Sequence, residues 1–296
     1  MWWCTGVRWQ DGRPGWGWRG PRGEGRVSPL AVGGPLQFTV PSDAGRRCGG
    51  VVRGGTWTAC PYGAELAPQV RGGQCPACAA LDRSSSVAAD TRADDPRPYR
   101  VYLAYFGPGR HKVGITGAER GSVRLLEQAA LCFTFLGEGP LMTARRTEAV
   151  LGSALRVPDR VPGTAKRAPR FRLPPAAERA AELRHRYEEV TARRDLLPDS
   201  LRRLPFRAVD HVALFGLENP APPPSAEVTA LPPGTGLTGT VTAVAGHDVY
   251  LTSSGTRLLL DARLTMGLPL TREAGTPSPA PTAPLRIPTD ETQPLF

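Results

Sequence analysis

Four cysteines lie within one short segment, and their spacing is typical of a metal site. The last two form the string Cys75-Pro76-Ala77-Cys78, in which both thiolates can point at one tetrahedral ion. Two glycines follow Cys48 and a proline follows Cys60, and glycines after a thiolate let backbone N–H groups turn toward the sulfur. We predict a structural zinc ion bound by Cys48, Cys60, Cys75 and Cys78 in a zinc ribbon, since four thiolates leave no position open for catalysis. A redox-active Cys-x-x-Cys pair and unligated thiols are the alternatives.

A second set of polar residues could perform phosphodiester hydrolysis. That reaction requires a divalent ion, a cation near the non-bridging oxygens and a base for the attacking water. Glu148 shares a helical stripe with Ala144, Leu151 and Leu155, so its carboxylate points toward an otherwise apolar face. We take it as the candidate ligand for Mg²⁺ or Mn²⁺. The alternative is a solvated stripe edge or an ion pair with a nearby arginine.

The residues from 99 to 157 have the pattern of a ββαβα unit that positions this set. Tyr102 and Lys112 are expected to converge on one face of a hairpin beside Gly114, which lacks a side chain and lets a phosphate approach. His111, just before this face, is expected to be a solvated turn residue. The predicted elements are strands over Arg100–Phe106, His111–Thr116 and Cys132–Leu136, a helix capped by Ser122 and running to Leu131, and a helix capped by Thr143 and running to Leu155.

This element order, with Tyr102 in the first strand and the string Lys112-Val113-Gly114-Ile115-Thr116 in the second, resembles the GIY-YIG nuclease superfamily, most closely its phage-type branch. The resemblance implies that Tyr102 assists water attack, that Arg124 on the first helix binds phosphate, and that Glu148 on the second helix binds the metal. Arg120 is a weaker candidate for the phosphate ligand. Lys112 stands where many members carry a second tyrosine, and its charge can neutralise phosphate.

The chain is also similar, over most of its length, to a bacterial family designated only as a domain of unknown function. The similarity rests on Trp2-x-Cys4-Thr5-Gly6-Val7, on the four-cysteine segment and on Arg124-x-x-x-Gln128-Ala129. It implies no particular activity.

Basic residues are concentrated between residues 144 and 207, where 15 arginines and one lysine face eight acidic residues, a net charge of +8. Such a segment favours sequence-independent contact with successive phosphates. A solvated arginine-rich helix with internal pairs such as Glu182–Arg186 is the alternative. The residues assigned to nucleic-acid binding are Arg145, Arg146, Lys166, Arg167, Arg170 and Arg172.

The composition indicates a chain of several units rather than one core. Gly 34 and Pro 32 among 296 residues imply long irregular stretches, and the net charge of +10 favours a polyanionic partner. Only two basic residues are lysines, a skew that a GC-rich genome also produces. Because no apolar run approaches the ~20 residues of a membrane span, we expect a cytoplasmic protein without membrane contact.

We predict an α+β chain of eight segments. They are an N-terminal β-rich unit (1–45), a zinc-ribbon-like segment (46–82), a linker (83–98), a GIY-YIG-like domain (99–157), a basic helical segment (158–218), a Pro-rich linker (219–234), a small β-unit (235–272) and a disordered tail (273–296).

The expected function is association with nucleic acid, DNA or RNA, with metal-dependent phosphodiester hydrolysis by the GIY-YIG-like domain. The alternative is a non-catalytic zinc-containing binding module, or a protein scaffold with a degenerate nuclease fold.

Overall fold

The computed structural model describes residues 1–84, 95–157, 161–272 and 277–285. Their contacts divide them into two compact units, the first comprising 1–84, 214–216, 224–272 and 277–285, and the second 95–157, 161–213 and 217–223. The chain is 23% helical and 34% strand, arranged in several separate sheets. The predicted α+β class is therefore confirmed. No helix within the described ranges combines the length and apolar character needed to cross a bilayer.

The elements are numbered along the chain. The strands are β1 Trp3–Gln10, β2 Arg13–Arg19, β3 Gly25–Pro29, β4 Pro35–Thr39, β5 Val51–Arg53, β6 Thr56–Thr58, β7 Tyr99–Tyr105, β8 His111–Gly117, β9 Cys132–Gly139, β10 Arg202–Arg203, β11 Val209–Asp210, β12 Ala226–Val228, β13 Thr235–Ala245, β14 Asp248–Ser253, β15 Thr256–Asp261, β16 Ser278–Pro279 and β17 Thr282–Pro284. The helices are α1 Pro76–Ser84, α2 Val123–Glu127, α3 Leu141–Ala154, α4 Gly163–Arg167 and α5 Ala176–Ala192, with 3₁₀ turns at Ala118–Arg120, Ala168–Phe171, Arg194–Leu196 and Ala262–Thr265.

The first unit contains three sheets. β1, β2 and β3 form an antiparallel N-terminal sheet, β5 and β6 form a hairpin, and the C-terminal sheet has the order β16-β13-β14-β15-β12-β17. β4 pairs with β13, with Phe38 opposite Leu237, so the N-terminal residues complete the C-terminal sheet. Segments 1–45, 46–82 and 235–272 are predicted as separate units, whereas the structure joins them in one. Strand pairing over about 200 residues leaves no local sequence signal, which is why it was missed.

Two further segments differ from prediction. The Pro-rich linker 219–234 contains β12, which pairs in parallel with β15. The tail assigned as disordered contains β16 and β17, paired with β13 and β12, and its residues 273–276 and 286–296 lie outside the described residues. Proline lacks an N–H but tolerates extended backbone, so Pro-rich strings can add short strands to a sheet. Residues 85–94 of the predicted linker 83–98 also lie outside the described residues.

The second unit is built on a central sheet of order β10-β9-β7-β8, with β11 also paired to β9. The helix α3 packs against β7 and β8, and α5 packs against β7 and β9. The Arg179 guanidinium of α5 lies 2.7 Å from the Asp210 carboxylate on β11. This ion pair connects the helix to the sheet. Residues 161–213 of the basic segment 158–218 therefore belong to the same unit as the ββαβα core.

The predicted ββαβα order is present, with corrected helix ends. The first helix stops at Glu127, not Leu131, because Ala129 adopts a left-handed φ of 59° that no helix continues. The second helix begins at Leu141 after Pro140, so Thr143 is not its cap. Proline before a helix has the φ that the first turn requires.

Candidate metal and active sites

The four predicted ligands meet in the first unit. The Sγ atoms of Cys48, Cys60, Cys75 and Cys78 all lie within 4.8 Å of one another, and those of Cys60 and Cys75 are 3.8 Å apart. Cys75 and Cys78 are buried, and Cys48 and Cys60 are partly exposed. The cluster can hold a metal ion such as zinc, because four thiolates at these separations match a tetrahedral coordination shell.

Two short elements bring the thiols together. Cys48 and Cys60 flank the hairpin β5–β6, so closure of its strands places both sulfurs at one end. Cys75 and Cys78 lie at the start of α1, where residues three apart share a face. Gly50 has φ +71°, and a Cβ there would overlap the Thr58 carbonyl oxygen. Glycine is therefore required for the chain to leave Cys48 and enter the hairpin.

Backbone N–H groups point at the sulfurs. The Cys75 N–H donates to Cys48 Sγ at 3.2 Å. Burial raises the pKa of Cys60, but the N–H groups of Ala64 and Tyr62 outweigh it, and the pKa falls to about 7. The pKa of Cys78 is raised, first by burial and then by hydrogen bonds with the neighbouring thiols. N–H donors of this kind stabilise thiolates and suit metal binding.

A polar network supports the loop from outside. The Gln74 side chain donates to the Gly50 carbonyl at 2.9 Å and to the Asp82 carboxylate on α1. The Trp57 indole N–H donates to the Gly49 carbonyl at 2.8 Å. These contacts connect the segment after Cys48 with the helix that carries Cys78, and so fix the ligand geometry. Gln74 was not predictable from the sequence, since an isolated glutamine before Cys75 has no distinctive pattern.

The two remaining cysteines are buried thiols elsewhere. Burial raises the pKa of Cys4 to about 11 and that of Cys132 to about 12, so both stay protonated at neutral pH. The Cys4 sulfur lies 3.1 Å from Thr265 Oγ1. Neither belongs to the four-cysteine cluster.

Tyr102 occupies the centre of the second candidate site. It pairs with Gly114 across β7 and β8, and its phenol lies directly over that glycine, where a Cβ would overlap the hydroxyl. The Gln128 side-chain amide donates to Tyr102 Oη at 2.9 Å. Tyr102 is only 1% exposed and belongs to the core cluster beneath α2. Gly114 thus makes room for the tyrosine ring itself rather than leaving an open approach for phosphate.

The charges of Arg124 and Glu148 both reach the Tyr102 hydroxyl. Burial raises the pKa of Tyr102, the Gln128 hydrogen bond and the Arg124 cation lower it, and the Glu148 carboxylate raises it. Arg124 is exposed on α2, with Glu127 Oε2 3.6 Å from its guanidinium. Glu148 is partly buried on α3. Arg124 and Glu148 are therefore both close enough to Tyr102 to affect its pKa, in opposite directions.

Lys112 lies on the same sheet face, two residues before Gly114 and opposite Ala104. It is partly buried.

Two residues missed as part of this site complete its surroundings. Gln128 follows Arg124 by one helical turn, a spacing visible in the sequence, and contacts Tyr102 directly. Lys166 was assigned to nucleic acid, but its Nζ donates to the Gln128 backbone carbonyl at 3.0 Å and lies 4.2 Å from the centre of the Phe106 ring. This hydrogen bond holds the C-terminal end of α2 in place.

The predicted basic surface is smaller than expected. Arg167 is 6% exposed and Arg170 is 2% exposed, so neither can contact phosphates in this conformation. Arg146 and Arg172 are exposed and Arg145 is partly exposed. The sequence pattern did not single out Arg167 and Arg170 as buried, because arginine is most often exposed and both lie in short helical segments.

His111 is not a solvated turn residue. It is 3% exposed, its ring lies edge-on to Tyr105, and its Nε2 is 3.5 Å from Glu182 Oε1 on α5. Burial, helped by the nearby Arg186 cation, lowers its pKa to about 4. It is a neutral core residue.

A family model matches residues 69–269, about two thirds of the chain. The chain belongs to DUF2797, a family described as protein of unknown function. No curated protein and no solved structure matches it. The DUF2797 match includes Cys75 and Cys78 together with Tyr102, Arg124 and Glu148, whereas Cys48 and Cys60 precede it. The similarity to such a family noted in the sequence is thereby confirmed.

Proposed function

We propose that this protein binds nucleic acid and that its second unit hydrolyses phosphodiester bonds at a GIY-YIG-like site formed by Tyr102, Lys112, Arg124 and Glu148. The observation that carries the proposal is the polar environment of the Tyr102 hydroxyl. Gln128, one turn after Arg124, contacts this hydroxyl, and the charges of Arg124 and Glu148 act on it. A cation, a carboxylate and a phenol are the groups that this reaction uses.

Each side chain has its own role in this proposal. Arg124 is 47% exposed, so its guanidinium can contact a phosphate from solvent. The raised pKa of Tyr102 keeps its proton at neutral pH, so the phenol orients water by a hydrogen bond instead of acting as a base. Lys112 adds positive charge on the same face. Glu148 is the residue that would hold Mg²⁺ or Mn²⁺, an ion that polarises phosphate and activates water.

The four-cysteine cluster has a different role in this proposal. Zinc is the ion that a closed set of four thiolates suits best, because it takes a tetrahedral shell without redox chemistry. With every position filled by protein, the ion stabilises the first unit and takes no part in hydrolysis.

The test uses the purified full-length protein with mixed single- and double-stranded DNA and RNA in Mg²⁺ or Mn²⁺. We expect cleavage, and we expect Glu148→Gln and Arg124→Gln each to reduce it by about 100-fold or more. Glu119→Gln and Arg193→Gln are matched controls, since their side chains are 51% and 52% exposed in the same unit and neither residue is assigned to the site. Equal loss in the controls, or full activity in the first pair, would refute the assignment.

The second candidate is a non-catalytic nucleic-acid-binding module, and the burial of Tyr102 favours it. A hydroxyl that is 1% exposed must gain access to water before it can assist attack. This function predicts binding that weakens steeply with salt, through Arg145, Arg146 and Arg172, and no cleavage with either ion. Measuring affinity at two salt concentrations beside the cleavage assay separates the two functions.

A further inference from the structure

The first unit contains a cavity of about 520 Å³ that borders the four-cysteine cluster and takes no part in the proposed hydrolysis. It opens beside the N-terminal sheet and the hairpin β5–β6. Three arginines and two tryptophans contribute to its lining, together with Cys48, Cys60 and small residues of the cysteine segment. The five residues that carry the argument are Trp3, Arg8, Arg19, Arg47 and Trp57.

The charge in this cavity is predominantly positive. Among the described residues, no carboxylate forms an ion pair with Arg8, Arg19 or Arg47, and the acid in the lining, Asp82, accepts a hydrogen bond from Gln74. Partial burial and the like charge of Arg8 together lower the pKa of Arg19. Neighbouring cations repel each other, so this arrangement is favourable when an anion lies between them.

The arginines are held in place by glycines of the sheet. The Arg8 side chain crosses Gly17, where a Cβ would lie 2.6 Å from its Cγ, and its Nε donates to Thr5 Oγ1 at 3.4 Å. Arg19 donates from NH1 to the Gly23 carbonyl at 3.0 Å, which leaves other N–H groups of its guanidinium for a ligand.

Both tryptophans present ring surface close to these cations. Trp3 is the cross-strand partner of Arg19 in β1 and β2, so both side chains lie on one face. The Trp57 ring packs against Gly23, where a Cβ would lie 2.6 Å from Cε3, and its centre is 5.6 Å from Arg19 Cζ. Its indole hydrogen bond to Gly49 fixes the ring, so it is ordered before any ligand arrives.

We infer that this cavity binds a nucleotide, with the phosphate between Arg8 and Arg19 and the base against Trp3 or Trp57. A planar aromatic group joined to an anion matches adjacent cations and indole rings, since bases stack on aromatic side chains and Arg binds phosphate. The nucleotide is either free or part of a single strand. The inference concerns the first unit and does not depend on hydrolysis in the second.

The test measures tryptophan fluorescence of the full-length, metal-loaded protein during titration. All six tryptophans belong to the first unit, and two of them line the cavity. The probes are AMP, adenosine, inorganic phosphate and pentathymidylate. We expect AMP or pentathymidylate to bind at least tenfold more tightly than adenosine or phosphate. Tighter AMP binding identifies a free nucleotide as the ligand, and tighter pentathymidylate binding identifies a strand.

Variants locate the binding. We expect Arg8→Gln with Arg19→Gln to weaken the affinity about tenfold or more, and Trp57→Leu to weaken it about tenfold. For the Trp57→Leu protein, which has lost one of the fluorescent tryptophans, isothermal titration calorimetry measures the affinity. Arg26→Gln, in the same sheet but outside the cavity lining, should bind as the parent does. Arg124→Gln should also retain full affinity, which separates this site from the proposed nuclease site.

Three results would overturn the inference. The first is no binding of AMP and pentathymidylate, and the second is phosphate binding as tight as either, which would remove the role of the rings. The third result would show that the arginines serve the metal site. Zinc bound by four thiolates has a net negative charge, which the arginines would then neutralise. Loss of metal from the Arg8→Gln, Arg19→Gln protein, with nucleotide affinity unchanged after metal is restored, would assign them to that role.

Discussion

The thiol groups of the cluster differ in chemistry from the two cysteines outside it, and this difference is testable residue by residue. Replacing Cys78 with serine removes one buried ligand, so we expect the protein to lose its metal or to bind it at least tenfold more weakly. Cys132→Ala, which removes a buried thiol from the second unit, should leave the metal content unchanged. Elemental analysis of both proteins checks this, and full occupancy in the Cys78→Ser protein would contradict the four-thiolate site.

Zinc itself is tested by metal exchange. Zinc bound by four thiolates should be replaceable by Co²⁺, giving the sulfur-to-metal absorption of a tetrahedral cobalt site. If the purified protein contains a different metal in full occupancy, the assignment to zinc is wrong, but the four cysteines are still a metal site.

His111 makes stability depend on pH. Its pKa is about 4 when folded and near 6.5 when unfolded, so the unfolded chain binds the proton more tightly. Its contribution is complete above pH 6.5 and is lost as pH falls toward 4, by up to about 3 kcal/mol. The His111→Phe protein should lose less stability over this window in urea titrations. Parallel curves for the two proteins would show that the histidine is not buried neutral.

At the residue scale, prediction from sequence works where the chemistry is local. The string Cys75-Pro76-Ala77-Cys78 predicts two metal ligands directly, and the closeness of Cys48 and Cys60 in the sequence predicts the other two. Burial of Arg167, Arg170 and His111 was not predictable in this way. Each depends on helices and strands that pack over it, and these come from other parts of the chain.

At the element scale, the pairing of β7 with β8 depends on a glycine under an aromatic ring. Gly114→Ala places a Cβ against the Tyr102 phenol, so either the ring or the strand must move. We expect a loss of about 1–3 kcal/mol in unfolding free energy. Gly163→Ala is the matched control, since a Cβ at that position at the start of α4 meets no atom within 4 Å. Denaturant unfolding of both proteins checks this, and equal stability would contradict the close contact.

Helix and strand positions followed from periodicity, and their ends did not. The hairpin around residues 107–109 lies where its turn residues predict it. The early end of α2 follows from the left-handed backbone of Ala129, a residue whose type does not favour that conformation. Tertiary contacts decide such ends: the Ala130 N–H bonds to the Leu125 carbonyl, and Leu131 already pairs with Tyr105.

At the scale of the whole molecule, the eight predicted segments condense into two units. β4 pairs with β13, which lies about 200 residues further along the chain. The strands β12, β16 and β17 are only two or three residues long, too short for a recognisable sequence pattern. Local composition therefore marked these segments as linker or tail. They lie beside the strands β13, β14 and β15 of the same sheet, which fall within the small β-unit predicted over 235–272.

This organisation predicts that metal removal acts on one unit. The four cysteines and all six tryptophans belong to the first unit, whereas α2, α3, α4 and α5 belong to the second. A chelator should therefore lower the melting temperature reported by tryptophan fluorescence, on the order of 10 °C, because the bound ion stabilises only the folded site. The transition in helical circular dichroism at 222 nm should stay in place. Adding zinc back should restore the fluorescence transition. An equal shift in both signals would mean that the two units unfold as one cooperative body, and no shift in either would mean that the cluster contributes nothing to folding.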